Sequence, residues 1–257
     1  MKLQIPAESI RIREQLFGYL LANYDCKIIK DSSDIEVERT LVFSAPFDNY
    51  LQQAIKQLSI NFFYIDNGYI GNHNYKKPWY YRVSYNQLQN TRIGQFGNSR
   101  IHTLELDGRY EDWNADGEYN LLVMPLPNKL FSWFGKDYEA WRAETIQHYE
   151  KQDTYCKVRD KPGGRASRQE RFRDILPLIR GAKKVITHHS MAAVEALCLG
   201  KPIEILGESA VQHWQNQVNF NRQEMLEHIA HSQFSRDEFA DGTAWQVTMD
   251  YQFYRQP

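Results

Sequence analysis

The sequence predicts an α/β protein made of two lobes with a cleft between them. Three observations lead to this prediction. From residue 119 onward, buried strand-like segments alternate with helical ones, a pattern typical of βαβ units with a parallel sheet. The 257 residues are enough for two domains of ordinary size. An acidic, irregular segment at 107–120 separates two patterned regions, so we expect lobes at 1–115 and 116–257.

The first lobe is predicted to alternate strands with one helix. Apolar runs at 39–46 (RTLVFSAP) and 60–68 (INFFYIDNG) predict strands, and the segment between them at 48–58 (DNYLQQAIKQL) has helical spacing. Asp48 stands where it can cap that helix. The segment WYYRVSY at 79–85 alternates aromatic and polar residues, which predicts one more strand.

The second lobe shows a regular strand–helix alternation. The predicted strands are at 119–127, 154–160, 184–187 and 203–206, and the predicted helices at 136–152, 167–182 and 190–199. Pro177 must break or kink the second helix because proline lacks the amide that the helix needs. Gly200 suits the end of the third helix, with Pro202 two residues further on.

Polar turns follow two of the predicted parallel strands, at RDKPGGR (159–165) and THHS (187–190). Ligands of open parallel sheets bind beyond the carboxyl ends of the strands, so these turns are expected to line one crevice. Ser190 is placed to cap the helix after the second turn, whose free amides suit an anion, although a plain capped helix explains the spacing equally well. Glu195 lies inside an otherwise apolar helix and needs a basic partner or ligand hydroxyl groups.

Basic residues concentrate between Lys157 and Lys184, although the whole chain has a formal net charge of −1. This segment holds ten basic residues against three acidic ones. Phosphate is the usual ligand of such a cluster, and the alternative is a solvated helix face with Arg–Asp and Arg–Glu pairs. No GK[ST] follows at the spacing of a Walker A loop, and no GxGxxG, GxSxG or HExxH motif occurs.

The pattern A-x-x-V-I-T-x-x-S-x-A-A-V-E-A-L-x-x-G-K-P-I, from Ala182 to Ile203, resembles the donor-binding half of GT-B-fold glycosyltransferases. The resemblance covers roughly residues 155–245 and extends to glycosyltransferase-like proteins of tailed phages. It implies two Rossmann-like lobes (GT-B-like), with the nucleotide sugar held at the turn and helix of this pattern. The donor-binding residues are then Arg159, Lys161, Gly163, Gly164, Arg165, His188, His189, Ser190 and Glu195, with Glu195 at the ribose hydroxyls.

Asp66 is the candidate catalytic residue of the first lobe. It follows a buried strand and precedes Asn67-Gly68, so it is either ordinary turn chemistry or a general base for an acceptor hydroxyl. Aromatic and basic residues interleave after it, which suits contact with sugars, bases and phosphates but equally suits a half-buried strand with a wet edge. The candidate acceptor-binding residues are Tyr69, Lys76, Lys77, Trp79 and Arg82.

The resemblance implies a glycosyltransferase that uses a nucleoside-diphosphate sugar, with a UDP-sugar as the first expectation. No cofactor or essential metal is expected, because basic groups can stabilise the leaving diphosphate. The phage resemblance favours a hydroxymethylated base in DNA as acceptor, which would have to leave the base stack. A surface polysaccharide or a lipid-linked sugar is the alternative acceptor. A non-catalytic nucleotide- or nucleic-acid-binding module and a sugar-nucleotide epimerase are the other classes that the scaffold allows.

Composition sets further expectations. Hydrophobic residues make up 42% of the chain, which is a globular composition. The longest apolar runs, such as 121–125, are far shorter than the roughly 20 residues of a membrane span, and charges interrupt the N-terminal apolar stretch. We therefore expect no membrane contact and a cytoplasmic location. Cys26, Cys156 and Cys198 form no CxxC pair and are expected to be reduced.

Overall fold

The computed structural model describes residues 1–44, 48–70, 80–91, 99–106, 109–125, 127, 133–152, 155–160 and 175–253, without the side chains of 250–253. Several predicted site residues lie outside these ranges, namely Lys76, Lys77, Trp79, Lys161, Gly163, Gly164 and Arg165. The described residues form two compact units. Unit 1 draws on the ranges Met1–Asn90, Gly94–Thr103 and Glu227–Pro257, and unit 2 on Thr91–Ile93 and Leu104–Leu226.

The regular elements are numbered here in chain order. The strands are β1 (Lys2–Pro6), β2 (Asp25–Ile29), β3 (Thr40–Ser44), β4 (Phe62–Asn67), β5 (Tyr80–Tyr85), β6 (Tyr119–Val123), β7 (Cys156–Arg159), β8 (Ala182–Thr187), β9 (Ile203–Ile205) and β10 (Gln233–Ser235). The helices are α1 (Ala7–Asn23), α2 (Asn49–Leu58), α3 (Tyr138–Glu150), α4 (Leu176–Arg180), α5 (Ala192–Cys198), α6 (Arg222–Ala230), α7 (Arg236–Ala240) and α8 (Thr243–Phe253). No helix in the described part of the chain has the length and apolar character of a membrane span.

Unit 1 contains a six-stranded sheet in the order β10-β5-β4-β3-β1-β2. Strands β1 to β4 are parallel, whereas β5 runs antiparallel to both β4 and β10. The chain therefore returns to this sheet after completing unit 2, with Phe234 opposite Tyr81. The sequence-based division at residue 115 assigns β10 to the second lobe. A strand of three residues is too short for its sequence to indicate which distant strand it pairs with.

One buried cluster of unit 1 lies on the sheet face that α1 and the C-terminal helices cover. Leu16, Phe17 and Leu20 of α1 belong to one buried cluster with residues of the central strands. Phe239 and Trp245 complete this cluster from the C-terminal segment, and their rings meet edge to face with centroids 5.5 Å apart. Burial of these large side chains explains why the C-terminal segment packs against the first sheet.

Unit 2 contains a fully parallel sheet in the order β7-β6-β8-β9. Helix α3 covers one face, where Leu122, Met124 and Ile186 form a cluster with Tyr149 of the helix. Asp137 begins α3 by accepting a hydrogen bond from the Ala140 amide. The four strands and the three helices coincide with the predicted segments, except that α4 is described only from Leu176, next to Pro177 at its start.

Candidate functional site

The carboxyl ends of three parallel strands meet at one edge of unit 2. Val123 at the end of β6 is the register partner of Arg159 in β7 and of Thr187 in β8. The chain leaves β6 for β7 on one side and then passes to β8 on the other, so the strand order reverses at β6. Ligands of open α/β sheets bind at such a reversal. The structure thus brings Arg159 and the turn after Thr187 to the same edge, as the sequence predicted.

Hydrogen bonds between neighbouring strands fix this edge. The Thr187 hydroxyl donates to the Val123 carbonyl at 2.9 Å, and the Met124 amide donates to the Arg159 carbonyl at 3.0 Å. The Leu206 amide donates to the Thr187 carbonyl at 2.9 Å, which ties the chain after β9 to the same place. The backbone at the base of the turn is therefore preorganised.

His188 is buried directly behind the edge, with 1% of its surface exposed. Its ring meets Phe134 and Trp141 edge to face, with centroids at 4.6 and 5.2 Å. Its Nδ1 lies 3.0 Å from Nδ1 of His189, so one of the two nitrogens carries the hydrogen and the other accepts it. Burial, helped by the nearby Lys136 cation, lowers the pKa of His188 to about 4. The imidazole is therefore neutral at pH 7.

Gly207 allows this arrangement. A Cβ at this position would lie 2.2 Å from an atom of the His188 ring, closer than any side chain permits. The glycine therefore provides the space that the imidazole occupies. Sequence reasoning identified His188 from its place in the turn but missed the four residues that enclose it, Phe134, Lys136, Trp141 and Gly207, because they come from other parts of the chain.

The helix after the turn begins at Ala192, two residues later than the predicted start at residue 190. Its cap position is Met191, with no side-chain cap bond, and Ser190 instead accepts a hydrogen bond from the Ala192 amide at 3.2 Å. The end of the helix confirms the prediction for Gly200, which has φ of +67°. The Lys201 amide donates to the Ala196 carbonyl and the Gly200 amide to the Leu197 carbonyl, which is a Schellman motif.

Glu195 lies beside a basic residue, which was one of the two outcomes that its sequence position allowed. The Arg109 Nε is 3.7 Å from Glu195 Oε2, and their side chains are 5% and 10% exposed. Both the pairing and the burial keep Glu195 in a defined position next to the turn. Sequence reasoning missed Arg109 because it precedes β6 and belongs to no motif.

Arg222 caps the carboxyl end of α5. Its Nη1 donates to the Leu197 and Cys198 carbonyls at 3.1 and 3.0 Å, and its guanidinium lies over the Tyr110 ring at 4.1 Å. A cation at the carboxyl end of a helix complements the helix dipole. The Glu111 amide also donates to the Cys198 carbonyl, so the segment before β6 supports the helix that carries Glu195.

Three described members of the basic cluster have partners within unit 2. Arg180 forms an ion pair with Glu111 at 2.7 Å, Lys184 pairs with Glu204, and Lys157 lies over the Tyr119 ring. These three residues therefore agree with the alternative interpretation, in which the cluster is a solvated surface whose basic residues pair with neighbouring side chains. Arg159 is the described basic residue that the sheet places at the carboxyl edge by register.

Asp66 lies at the carboxyl end of β4 in unit 1, with its side chain 19% exposed. Its Oδ2 accepts hydrogen bonds from Arg82 Nη2 at 2.9 Å and from the Tyr64 hydroxyl at 3.2 Å. Its Oδ1 accepts one from the Asn67 amide at 2.8 Å. Three hydrogen bonds, one of them from the buried Arg82 guanidinium, therefore hold this carboxylate in place at the end of β4.

The two described candidates for acceptor binding are buried rather than on an open surface. Tyr69 is 3% exposed, and its hydroxyl accepts a hydrogen bond from the Asn90 amide at 3.1 Å. Arg82 is also 3% exposed and packs over the Tyr69 ring while it holds Asp66. Both side chains therefore act inside unit 1, and acceptor binding by them stays a prediction.

Among the described residues, no group of three or more His, Cys, Asp or Glu side chains could hold a metal ion. His228 contacts the Asn90 carbonyl at 2.8 Å, and His231 contacts the Glu227 carbonyl at 3.0 Å, so both belong to hydrogen-bonded structure. The cysteines are free thiols.

Two solved structures resemble nearly the whole chain. The KpsC beta Kdo 2,7 transferase of Thermosulfurimonas dismutans aligns with a TM-score of 0.52, covering 96% of this chain and 99% of that one at 11% identity. The KpsC beta Kdo 2,4 transferase of the same organism aligns with a TM-score of 0.50, covering 90% of each chain at 10% identity. The fold is GT-B-like. No protein-family model matches the sequence, and no curated protein matches it.

The GT-B-like fold agrees with the two α/β units described above and with the resemblance read from the sequence between Ala182 and Ile203. At these identities the likeness concerns the architecture of the fold and not the roles of individual residues.

Proposed function

We propose that the chain is a glycosyltransferase that moves a sugar from a nucleotide-activated donor to a hydroxyl group of a saccharide. The observation that carries the proposal is the likeness over 96% of the chain to a protein whose name states glycosyl transfer. The polar turn at the strand-order reversal of unit 2 adds independent support, because it is where this class of sheet binds its ligands.

The proposed donor is a nucleoside-diphosphate sugar, with UDP-sugars as the first choice. Arg159 at the end of β7 supplies a guanidinium for the phosphates, and the turn up to Ser190 supplies amide and hydroxyl groups. The turn of His188 and His189 is proposed to lie at the sugar or the phosphates, and the neutral imidazole of His188 suits hydroxyl groups better than phosphates. Glu195 is proposed to accept hydrogen bonds from the ribose. Positive charge at the diphosphate makes a metal ion unnecessary in this proposal.

The proposed acceptor is a saccharide because both structural neighbours are named as Kdo transferases. A hydroxymethylated DNA base, which the phage resemblance favours, is the competing acceptor, and neither neighbour's name connects the fold to DNA. Asp66 remains the proposed general base in unit 1, where it pairs with Arg82.

Donor binding tests this proposal before any acceptor is known. Isothermal titration of the chain with UDP-glucose, UDP-N-acetylglucosamine and an activated form of Kdo should give binding to at least one of them, in EDTA as well as without it. Arg159→Ala should weaken that binding at least tenfold, the usual consequence of losing a charge-assisted phosphate contact. Arg180→Ala removes an arginine of the same cluster that pairs with Glu111 and should bind as the wild type does. Equal losses in both variants would contradict the placement of the donor.

A further inference from the structure

Unit 2 has a cleft of about 470 Å³ on the sheet face that α3 covers. Its lining comes from α3, from the chain just before α3 and from β9 with the residue after it. The lining residues are Lys136, Trp141, Glu144, Thr145, His148, Tyr149, Glu204 and Leu206. The volume falls in the range of roughly 300–1,000 Å³ that is usual for small-molecule sites. None of the proposed donor-binding residues lines this cleft.

One stripe of α3 forms the wall of the cleft. Trp141, Thr145 and His148 are spaced by four and three residues, which places them on one face of the helix. Glu144 and His148 are exposed, whereas Trp141 is half-buried, so polar groups stand above an aromatic base. Leu206 extends the apolar base from the opposite side.

Glu204 contributes a carboxylate in a fixed position. It accepts hydrogen bonds from the Tyr149 hydroxyl and from the Lys184 ammonium. Burial acts to raise the pKa of Glu204, but the hydrogen bonds from Lys184 and Tyr149 outweigh it and hold that pKa below its ordinary value. A carboxylate has about four lone-pair sites, so Glu204 keeps acceptor capacity for a ligand in the cleft.

The charges around the cleft balance. Lys136 and Glu144 carry opposite charges, and Glu204 is neutralised by Lys184. This balance offers no attraction to phosphate or to a nucleotide, in contrast to the arginine at the carboxyl edge. The lining instead combines an aromatic and aliphatic base with several hydrogen-bonding groups. A sugar ring has matching features, since its C–H faces are apolar and its hydroxyl groups both donate and accept.

We propose that this cleft binds an uncharged oligosaccharide segment, with Trp141 and Leu206 against its C–H faces and Glu144, His148 and Glu204 bonded to its hydroxyl groups. The proposal rests on the proposed function, since it names a substrate class for a glycosyltransferase. The cleft also shares a wall with the predicted donor turn. The Trp141 ring contacts His188, and the Leu206 amide bonds to Thr187, so a saccharide held here lies beside the place where transfer is proposed.

Glycan binding by the full chain tests this site separately from transfer. Saturation-transfer NMR and titration calorimetry with maltotetraose, cellotetraose and chitotetraose should detect binding of at least one of these neutral probes. Glu144→Gln and His148→Ala, both changes at exposed positions, should each weaken it at least fivefold. Glu150→Gln is the matched control, because Glu150 is exposed on the same helix and does not line the cleft. It should bind the probe as the wild type does.

Three results would overturn the site. They are no binding of any neutral probe, equal binding by Glu144→Gln and Glu150→Gln, or tighter binding of the charged tetragalacturonate than of every neutral probe. Nucleotide-sugar binding by Glu144→Gln is measured in parallel and should match the wild type. Loss of glycan binding with donor binding intact supports the cleft. Glycan binding that depends on Glu144 in a chain that binds no nucleotide sugar keeps the cleft and refutes the transferase.

Discussion

The buried imidazole of His188 makes the stability of unit 2 depend on pH in a way that can be calculated. Its pKa of about 4 lies below the ordinary value of 6.5. As the pH falls through 6.5, the unfolded chain takes up a proton at this residue while the folded chain does not. Stability is therefore complete above pH 6.5 and is lost progressively as the pH falls towards 4.

The size of this effect follows from the two pKa values. At pH 5.0 the unfolded imidazole is almost fully protonated and the folded one is about a tenth protonated, which corresponds to a loss of about 2 kcal/mol relative to pH 7.5. The full loss, below pH 4, is about 3 kcal/mol. Partial access of water to the charged ring would make both values smaller.

Urea denaturation at pH 7.5 and pH 5.0 measures this loss in the wild type and in His188→Gln. The variant has no titrating group at this position, so its unfolding free energy should fall by about 2 kcal/mol less between the two pH values than that of the wild type. His213→Gln removes an exposed histidine of unit 2 and should behave as the wild type does. Parallel losses in the wild type and His188→Gln would refute the assignment of a neutral, buried imidazole.

Two other substitutions test the packing of each unit. Gly200→Ala places a Cβ 2.0 Å from the Asp112 carbonyl oxygen at a positive φ, and calorimetry should show a destabilisation of about 2–4 kcal/mol. Gly18→Ala is the control, because Gly18 lies at an open position in α1, and it should be neutral or stabilise by up to about 1 kcal/mol. Equal effects of the two substitutions would contradict this reasoning. Asp66→Asn leaves the buried Arg82 guanidinium without its counter-charge and should cost about 3 kcal/mol in urea denaturation. The double variant Asp66→Asn/Arg82→Met should recover part of that loss without recovering transfer, and recovered transfer would exclude Asp66 as the general base.

The sequence predicted unit 2 well because its signals are local. Each strand is a short apolar run, each turn carries polar residues, and Gly200 ends α5 through its own backbone geometry. The sequence predicted that Arg159 lies at the same edge of the sheet as the other strand ends. It did not predict that Arg159 pairs with Val123, because the strand order was not predicted. Parallel strands with polar turns were sufficient to predict that these turns share one edge, and ligand binding at that edge stays a prediction.

The sequence pattern could not predict long-range contacts. The pairing of β10 with β5 joins segments about 150 residues apart, and the three residues of β10 have no distinctive period. The aromatic and basic residues around Tyr69 and Arg82 were compatible with an acceptor surface and equally with a half-buried strand. In the structure the Asn90 amide and Asp66 form hydrogen bonds with these side chains inside unit 1. The partners of Glu195 and His188 were likewise set by tertiary packing.

Product analysis by mass spectrometry tests the central claim most directly. The chain is incubated with the nucleotide sugar that it binds and, in separate reactions, with neutral oligosaccharides, with Kdo-containing saccharides and with DNA that carries 5-hydroxymethylcytosine or 5-hydroxymethyluracil. The account predicts a saccharide product heavier by one glycosyl residue, formed by the wild type and diminished in Arg159→Ala. A mass gain confined to the DNA base would contradict the proposed acceptor. Donor binding without transfer to any acceptor would contradict the proposed activity itself.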